Sequence, residues 1–213
     1  VKLLVYGQAG AGKTSLIKTL PRPLVLSAEG GLLSIADADI PFIEVSNMES
    51  LKEAYEWVSS SAEAKGFDSI ALDSISEIAE VCLSHEKAKN KDPRAAYGAL
   101  QDEMGGLIRA FRDLQGKNVY FSSKQERKED QISGAQLYFP SLPGSKLGQG
   151  IGYFFDEVFA LRVERDAENK VTRWLQTGRD FQYEAKDRSG ALEMFEECDL
   201  QRIAQKITGK SAN

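Results

Sequence analysis

Eight residues near the start of the chain, GQAGAGKT at positions 7 to 14, constrain it most. They match the phosphate-loop pattern G-x-x-x-x-G-K-[ST] at every fixed position. An apolar run at 1–6 predicts a buried strand before them, and residues 15–20 predict a helix after them. In this setting the glycines let successive backbone N–H groups point at one anion, and the helix N-terminus adds partial positive charge. The loop therefore predicts an α/β nucleotide-binding domain.

The loop residues have separate expected roles. Lys13 is expected to reach the β- and γ-phosphates, and the Thr14 hydroxyl is expected to ligate Mg²⁺. The alternative, a glycine-rich turn without a ligand, is disfavoured by the flanking strand and helix. The residues expected to contact the nucleotide are Gly7, Gln8, Ala9, Gly10, Ala11, Gly12, Lys13, Thr14 and Ser15.

Composition limits the domain organisation and the class of partner. The chain has 213 residues and 42% hydrophobic content, which suits one sizeable α/β core and is short for two full domains. We therefore expect a single domain over 1–213, with a short segment preceding Val1 because the chain begins inside a predicted strand. The net charge of −5 means that any site for a polyanion must be a local basic patch.

Two cysteines, Cys82 and Cys198, lie far apart and form no C-x-x-C pair. This pattern disfavours a disulfide framework and a zinc site, and it favours a reducing cytoplasm. No apolar run approaches the ~18 residues of a membrane span. We therefore expect a cytoplasmic protein with no membrane partner.

Three further predicted strands end in polar residues. The strand at 24–27 leads into Ala28-Glu29-Gly30-Gly31, the strand at 67–73 ends in Asp73-Ser74, and the strand at 118–122 leads to Lys124-Gln125. Open α/β sheets place their ligands at the carboxyl ends of their strands. Because an apolar strand that ends in Asp downstream of a phosphate loop is typical of a nucleotide site, Asp73 is expected to hold Mg²⁺ through a water.

A polar stretch at 86–94 follows a helix predicted over 75–84 and contains four basic residues with Tyr97 close behind. We expect an exposed loop, with His85 at the surface rather than in a metal site. The charges suit either a solvated loop or a site for single-stranded nucleic acid, in which basic residues track the backbone and rings stack on bases. The residues expected to contact DNA here are Lys87, Lys89, Lys91, Arg94 and Tyr97.

The segment 126–150 shows no periodicity and is rich in Gly and Pro. A structureless span of ~20 residues inside a domain is uncommon and usually functional, so we expect a mobile loop that a ligand orders. Its basic residues are balanced by acidic ones. Residues 153–163 and 171–176 then predict a hairpin that extends the sheet, and 181–185 predicts another possible strand.

The order of these features resembles the ATPase core of RecA/RadA-type recombinases over nearly the whole chain. The fold implied is a three-layer α/β P-loop NTPase whose mainly parallel sheet is extended by a C-terminal antiparallel hairpin. The strand at 118–122 would lie between the first and fourth strands. The activity implied is Mg-dependent ATP hydrolysis, with Glu29 activating the attacking water. Lys124 or Gln125 would sense the γ-phosphate, although Ser-Lys-Gln replaces the usual Asn-Gln.

The resemblance also implies partners. The family binds single-stranded DNA through two loops, which correspond here to about 85–98 and 126–148, so Arg127 and Lys128 join the expected DNA contacts. Lys186 and Arg188 match a basic pair that enters the neighbouring subunit's ATP site, and this implies a homo-oligomer with ATP at the interface; the alternative is an exposed basic pair. A single-strand DNA-binding protein is a further expected partner.

The chain resembles, in particular, minimal phage-encoded RecA-like single-strand annealing ATPases. The resemblance extends to the sequences around DPRAAYG and YEAKDRSG. This resemblance implies a role in recombination or annealing in the host cytoplasm. One alternative is a P-loop kinase, which the lack of an Arg-rich lid in 126–150 disfavours. Another is an AAA-type ATPase without direct DNA binding. A non-enzymatic nucleotide switch is disfavoured by Glu29.

Overall fold

The computed structural model describes residues 1–28, 33–89, 92–131 and 133–209. The strands are β1 (Lys2–Gly7), β2 (Pro23–Ser27), β3 (Phe42–Glu44), β4 (Ser69–Leu72), β5 (Asn118–Glu129), β6 (Gln136–Ser141), β7 (Glu157–Arg165), β8 (Val171–Gln176), β9 (Lys186–Asp187) and β10 (Phe195–Glu196). The α-helices are α1 (Met48–Ser60), α2 (Ile75–Lys89), α3 (Pro93–Arg112), α4 (Ser145–Gly150) and α5 (Leu200–Thr208). Short 3₁₀ helices lie at Thr14–Thr19, Leu33–Ala38, Glu63–Gly66 and Ile151–Phe154.

Among the described residues, ten strands form one sheet with the order β10-β8-β7-β1-β5-β4-β2-β3. The six strands from β7 to β3 run parallel, and β8 and β10 extend them antiparallel. The strands β6 and β9 pair antiparallel with β5 and β7. The predicted place of β5, between β1 and β4, is confirmed, and so is the antiparallel β7–β8 hairpin.

Helices cover both faces of the sheet and enclose two cores. On one face, α1, α2 and α3 bury Leu51, Ile78 and Ile108 against side chains such as Phe121 of β5. On the other face, Ile17, Ile35 and Ile203 pack against Val5 and Tyr120. Alternate strand residues point to opposite faces, so continuous apolar strands such as β1 serve both cores. The predicted three-layer α/β fold with a mainly parallel sheet is confirmed.

The helix predicted after the phosphate loop is a six-residue 3₁₀ helix, Thr14–Thr19, rather than an α-helix. Pro21 restricts Leu20 to the extended region, where it has ψ 144°. The Leu20 N–H donates to the Ile17 carbonyl at 3.0 Å, and the helix ends there. With so short a helix, most of the anion-binding capacity rests on the loop's own N–H groups.

The exposed loop predicted at 86–94 is largely helical. Helix α2 continues through His85 to Lys89, and α3 begins at Pro93 with the Asp92 side chain accepting from the Arg94 N–H at 2.9 Å. Lys87 and Lys89 fall in the last turn of α2, where cations favour the negative end of the helix dipole. The predicted loop at 85–98 is therefore wrong as a loop, because Lys87 and Lys89 lie at the end of α2 and Arg94 lies at the start of α3.

The mobile loop predicted at 126–150 is also wrong, because the segment contains regular structure. Strand β5 runs on to Glu129 and turns back as β6, with pairs from Lys124↔Ser141 to Glu129↔Gln136. Helix α4 follows. The strand predicted over 153–163 begins only at Glu157, after a 3₁₀ turn. The strand predicted over 181–185 is not formed there, and the two-residue strand β9 follows it at Lys186–Asp187.

Cys82 and Cys198 are free thiols, as expected. None of the helices in the described ranges is both long enough and apolar enough to cross a membrane.

Candidate nucleotide site

A cavity of about 590 Å³ opens at the carboxyl ends of β1, β4 and β5. Residues of the phosphate loop form one wall, and Asp73, Ser74, Lys124 and Gln125 form the other. The parallel pairing of β4 with β5 and of β5 with β1 brings these strand ends together. The structure therefore gathers the predicted loop, the Asp73 strand end and the Lys124-Gln125 strand end around one space.

The loop owes its curvature to two glycines. Gly10 has φ +73° and Gly12 has φ +109°, which L side chains rarely adopt. Between them, the Ala11 N–H donates to the Gln8 carbonyl at 3.2 Å and closes the turn. The pattern G-x-x-x-x-G-K-[ST] thus sets a left-handed backbone where a phosphate has to approach closely.

Lys13 is held from both of its ends. Its ammonium donates to the carbonyls of Gly7 at 2.9 Å and Gln8 at 3.0 Å, so the positive charge lies over the loop. Its backbone carbonyl accepts from the Tyr120 hydroxyl at 2.8 Å. Tyr120 is fully buried, and burial, followed by the charge of Asp73, raises its pKa well above the ordinary value. Tyr120 therefore acts as a neutral hydroxyl donor that anchors the loop to β5.

Thr14 and Asp73 meet across the cavity. The Thr14 hydroxyl donates to one Asp73 oxygen at 2.6 Å, and the Ser122 hydroxyl donates to the other. Asp73 is only 4% exposed. A hydroxyl and a carboxylate are hard oxygen donors, which suit Mg²⁺ with its remaining positions filled by water and phosphate. The donor set thus fits the predicted metal, and clusters of three or more His, Cys, Asp or Glu are not found in the described ranges.

Lys124 and Gln125 both line the cavity, as predicted for strand-end residues. The Lys124 ammonium lies 2.7 Å from Glu77 and 3.0 Å from Glu80, both on α2. Although partial burial lowers it, the hydrogen bonds to Glu77 and Glu80 raise the pKa of Lys124 overall. Lys124 therefore stays charged and joins the cavity to the first turns of α2.

Glu29, the expected water-activating residue, lies outside the described residues, as does Lys91. Strand β2 pairs with β4, and the Asp73 N–H donates to the Leu26 carbonyl at 2.9 Å. The chain therefore leaves the sheet after Ser27, close to Asp73, and Ser34 lines the cavity.

Lys186 and Arg188 do not approach the phosphate loop of their own chain. Lys186 donates to the Gly152 carbonyl at 2.8 Å, and Arg188 forms an ion pair with Asp156 at 2.7 Å. In the sheet, Asp187 of β9 lies opposite Glu157 of β7. Glu157 in turn lies opposite Leu3, near the start of β1. Gly7 lies four positions after Leu3, which is about 13 Å along a strand.

Glu157 is a buried carboxyl beside the Lys186–Arg188 segment. It is 3% exposed, and its Oε2 has no hydrogen-bond partner among the described residues. Burial, followed by the hydrogen bond and charge of Asp187, raises the pKa of Glu157 to about 7. The Glu157 carboxyl therefore holds its proton more tightly than a free glutamate side chain does.

The described residues that were predicted to contact DNA lie in two places, near the junction of α2 with α3 and on the β5–β6 hairpin. Lys87 lies 4.7 Å from the centre of the Tyr97 ring and joins the end of α2 to the start of α3. Arg94 and Tyr97 line an open groove of about 800 Å³, and Pro143 and Gly144 form its opposite side. Arg127 and Lys128 are exposed on the β5–β6 hairpin, and Lys89 pairs with Glu86 at 3.8 Å.

The sequence interpretation missed several residues that shape the site. Ser122 and Tyr120 lie in an apolar strand and read as core residues. Arg173, on β8, donates from Nε to the Ala11 carbonyl of the phosphate loop at 2.8 Å. The alternation in VTRWLQ places Arg173 on the same face as the fully buried Leu175, and this was the available signal.

Comparisons with known proteins bear on this geometry. A protein-family comparison matches residues 1–189 to the AAA domain family. No curated protein matches the chain. Among solved structures, the KaiC-like protein PH0186 from the hyperthermophilic archaeon Pyrococcus horikoshii OT3 is 14% identical with a TM-score of 0.46. That alignment covers 87% of this chain and 83% of that one. The family match covers most of the chain, including the phosphate loop and Asp73, so the chain belongs to the AAA domain family of P-loop ATPases.

Proposed function

We propose that the protein is a Mg-dependent ATPase that acts on single-stranded DNA. The observation that carries the ATPase part is the contact of Thr14 with Asp73 beside Lys13, within a cavity of about 590 Å³. This arrangement joins a phosphate cradle to a pair of Mg²⁺ ligands. A cavity of that size lies within the range of about 300–1,000 Å³ that is typical of small-molecule sites.

The residues divide the work of hydrolysis among them. Loop N–H groups and Lys13 hold the phosphates, and Thr14 and Asp73 hold the metal. When bound, Mg²⁺ neutralises charge on the phosphate oxygens. Ser122 orients the Asp73 carboxylate by its hydrogen bond. Glu29 takes the proton of the attacking water, which its place in the sequence just after the end of β2 supports.

The DNA part of the proposal is supported by the groove between α3 and α4. The two segments expected from the sequence to contact DNA lie far apart in the chain, yet Arg94 and Tyr97 from one face Pro143 and Gly144 from the other. Arg94 supplies a charge for phosphates and Tyr97 an exposed ring for stacking, which together suit a flexible single strand. The role proposed is strand annealing or recombination.

A homo-oligomer completes the proposal. Because Lys186 and Arg188 lie at the opposite end of β1 and β7 from their own phosphate loop, they can serve only the loop of another copy. A cation that enters a neighbouring site stabilises charge on the transferred phosphoryl group. In that arrangement, ATP lies between two subunits.

The test is a paired measurement on the purified chain. ATP hydrolysis is followed with Mg²⁺ and with excess EDTA, each with and without an oligo-dT strand, and DNA binding is measured at two salt concentrations. We expect Mg-dependent phosphate release and ATP-dependent DNA binding that weakens with salt. If ATP is not hydrolysed in the presence of Mg²⁺, the proposed ATPase activity is overturned. If ATP is hydrolysed but DNA is not bound at low salt, the protein is instead an AAA-type ATPase that does not bind DNA directly.

A further inference from the structure

A second cleft lies on the other side of the phosphate loop from Asp73. It has a volume of about 320 Å³, and its lining includes Gly10, Gly12, Ser15, Leu16, Leu161 and Arg173, with Cys198 at its border. Three of these residues, Gly10, Gly12 and Ser15, also line the nucleotide cavity, so the loop is a wall common to both spaces. We refer to this space as the Arg173 cleft.

The β7–β8 hairpin places Arg173 over the loop. Strand β7 pairs with β1, and Leu161 of β7 pairs with Leu175 of β8. Leu175 is fully buried in the core that contains Ile17, and Arg173 lies two residues earlier on the same face. Its Nε reaches the Ala11 carbonyl at 2.8 Å and would lie 3.4 Å from a Cβ added at Gly12. A side chain at position 12 would therefore crowd the guanidinium.

The chemistry of the Arg173 cleft differs from that of the cavity it adjoins. Leu16 and Leu161 are each 4% exposed and form an apolar floor, whereas the Asp73 side of the loop is polar. Arg173 adds a planar guanidinium above this floor, and guanidinium planes stack on aromatic rings and bases. An apolar surface facing a planar cation suits a flat heterocycle better than it suits a phosphate.

A nucleotide held by the loop has to place its base somewhere beyond the loop. The phosphates occupy the N–H groups beside Lys13, and the terminal phosphate faces Thr14 and Asp73. The base lies at the opposite end of the molecule from that terminal phosphate. The Arg173 cleft borders the loop on the side away from Asp73, and its 320 Å³ is enough for a base with part of its ribose.

We propose that the Arg173 cleft is the nucleobase subsite and that Arg173 stacks on the bound base. This inference rests on the proposed function, in which a nucleoside triphosphate occupies the phosphate loop. Arg173, which lies on the β7–β8 hairpin, then contributes to the affinity for the nucleotide. A purine offers the guanidinium a larger face than a pyrimidine does, so the cleft favours ATP and GTP over CTP and UTP.

A competing role for Arg173 is mechanical, because its bond to Ala11 also stabilises the loop. The two roles separate when the ligand has no base. Inorganic tripolyphosphate engages the loop, Lys13 and the metal ligands but leaves the Arg173 cleft empty. A base-stacking role affects ATP alone, whereas a loop-supporting role affects ATP and tripolyphosphate alike.

The experiment measures equilibrium binding of ATP, CTP and tripolyphosphate with Mg²⁺ by calorimetry at low temperature. Three proteins are compared with the wild type: Arg173→Ala, Arg173→Lys and Arg179→Ala. Arg179 is an exposed arginine beyond β8 and outside this cleft, so its variant controls for the loss of one positive charge. Thermal unfolding confirms that each variant is folded.

In the wild type, we expect ATP to bind more tightly than either CTP or tripolyphosphate. Arg173→Ala should weaken ATP binding about tenfold, the size of one lost base stack, and leave tripolyphosphate binding within about twofold. Arg173→Lys keeps the charge but loses the planar group, so it should also weaken ATP binding severalfold. Arg179→Ala should match the wild type.

The contrary outcomes are distinct from one another. Equal losses for ATP and tripolyphosphate in Arg173→Ala would assign Arg173 to loop support and overturn the base subsite. Wild-type protein that binds tripolyphosphate as tightly as ATP would overturn it too, while leaving the phosphate loop intact. Wild-type protein that binds none of the three ligands would overturn the proposed function itself. Retention of ATP affinity by Arg173→Lys would replace stacking with simple charge attraction.

Discussion

The hydroxyl of Thr14 donates to the carboxylate of Asp73 across 2.6 Å, which joins the end of the phosphate loop to the end of β4. The two residues are 59 positions apart in the chain and meet only because β1, β5 and β4 are adjacent. Ser122 holds the second Asp73 oxygen. The carboxylate is therefore oriented before any metal arrives, which reduces the cost of ordering the site.

Asp73→Asn should abolish Mg-dependent ATP turnover while the fold survives. The amide keeps the shape of the carboxylate and can still hydrogen-bond Thr14 and Ser122, but it lacks the negative charge that Mg²⁺ needs. We expect the hydrolysis rate to fall about 100-fold or more, with a larger Mg²⁺ requirement. Phosphate release at several Mg²⁺ concentrations measures both.

Asp68→Asn is the matched control, since Asp68 precedes the same strand but pairs at the surface with Arg22. Its hydrolysis rate should equal that of the wild type. Unchanged turnover in Asp73→Asn would remove Asp73 from the metal site.

Glu29→Ala should leave ATP binding nearly intact and slow turnover strongly. A positioned general base contributes roughly 10²- to 10⁴-fold to such a reaction, so we expect a rate loss in this range. Binding is measured by calorimetry and turnover by phosphate release. The control is Glu44→Ala, at the exposed end of β3, which should not change the rate. A normal rate in Glu29→Ala would show that the assignment of Glu29 is wrong.

Mixing two inactive variants should restore activity if ATP lies between subunits. Lys13→Ala loses the phosphate site, and Arg188→Ala loses the proposed cation for the neighbouring site. In a one-to-one mixture, about a quarter of interfaces combine an intact loop with an intact Arg188 if subunits exchange at random. Phosphate release by the mixture should then exceed that of either variant alone. Activity of the Arg188→Ala variant at the wild-type level would instead leave Arg188 as a surface partner of Asp156.

Arg94→Ala and Tyr97→Ala should weaken single-stranded DNA binding in different ways. Loss of one phosphate contact at Arg94 should reduce the slope of log K against log salt by about 0.7. Loss of a stacking ring at Tyr97 should weaken binding about tenfold without changing that slope. Fluorescence anisotropy with labelled oligo-dT at several salt concentrations measures both quantities.

Arg202→Ala serves as the control for the DNA experiment, because Arg202 of α5 pairs with Glu197 and does not line the groove between α3 and α4. Its DNA affinity should be that of the wild type. If Arg94→Ala and Tyr97→Ala bind DNA equally well, the groove between α3 and α4 is not the DNA site.

The Glu157 carboxyl should make stability depend on pH. Its pKa of about 7 in the folded protein exceeds the value of 4.5 for a free side chain, so the folded state binds the proton more tightly. This contribution is fully present below pH 4.5 and is lost as the pH rises through about 7. Relative to wild type, Glu157→Gln should gain on the order of 1–3 kcal/mol between pH 5 and pH 8. Urea unfolding of both proteins at the two pH values tests this, and parallel pH profiles would contradict it.

The nucleotide site was predictable because its parts are local patterns with fixed spacing. GQAGAGKT specifies its own turn through Gly10 and Gly12, and an apolar strand that ends in Asp73 identifies the second wall. The contacts that orient these parts were not predictable. Tyr120 and Ser122 read as strand residues, and their hydroxyl partners, Lys13 and Asp73, are more than 45 residues away.

The errors in the fold share one physical cause. The end of α2 and the β5–β6 hairpin both project into solvent, so neither carries the apolar stripe that reveals a helix or a strand. The run from Glu126 to Glu129 is charged and exposed at every position and therefore resembles a loop in the sequence. Regular structure there is fixed by pairing with β6, which a local pattern does not encode.

Strand β5 is a single run of twelve residues, buried at Val119 and exposed beyond Lys124. Because side chains alternate along a strand, one inserted or deleted residue between Ser123 and Glu129 would exchange the two faces of the hairpin. It would also displace Ser141, whose carbonyl accepts from Ser76 at the start of α2. Within this hairpin, changes of chain length should therefore be tolerated only at the turn between Asp130 and Ala135. A peptide tag or a fluorophore inserted there would leave the nucleotide cavity at the carboxyl ends of the strands unchanged.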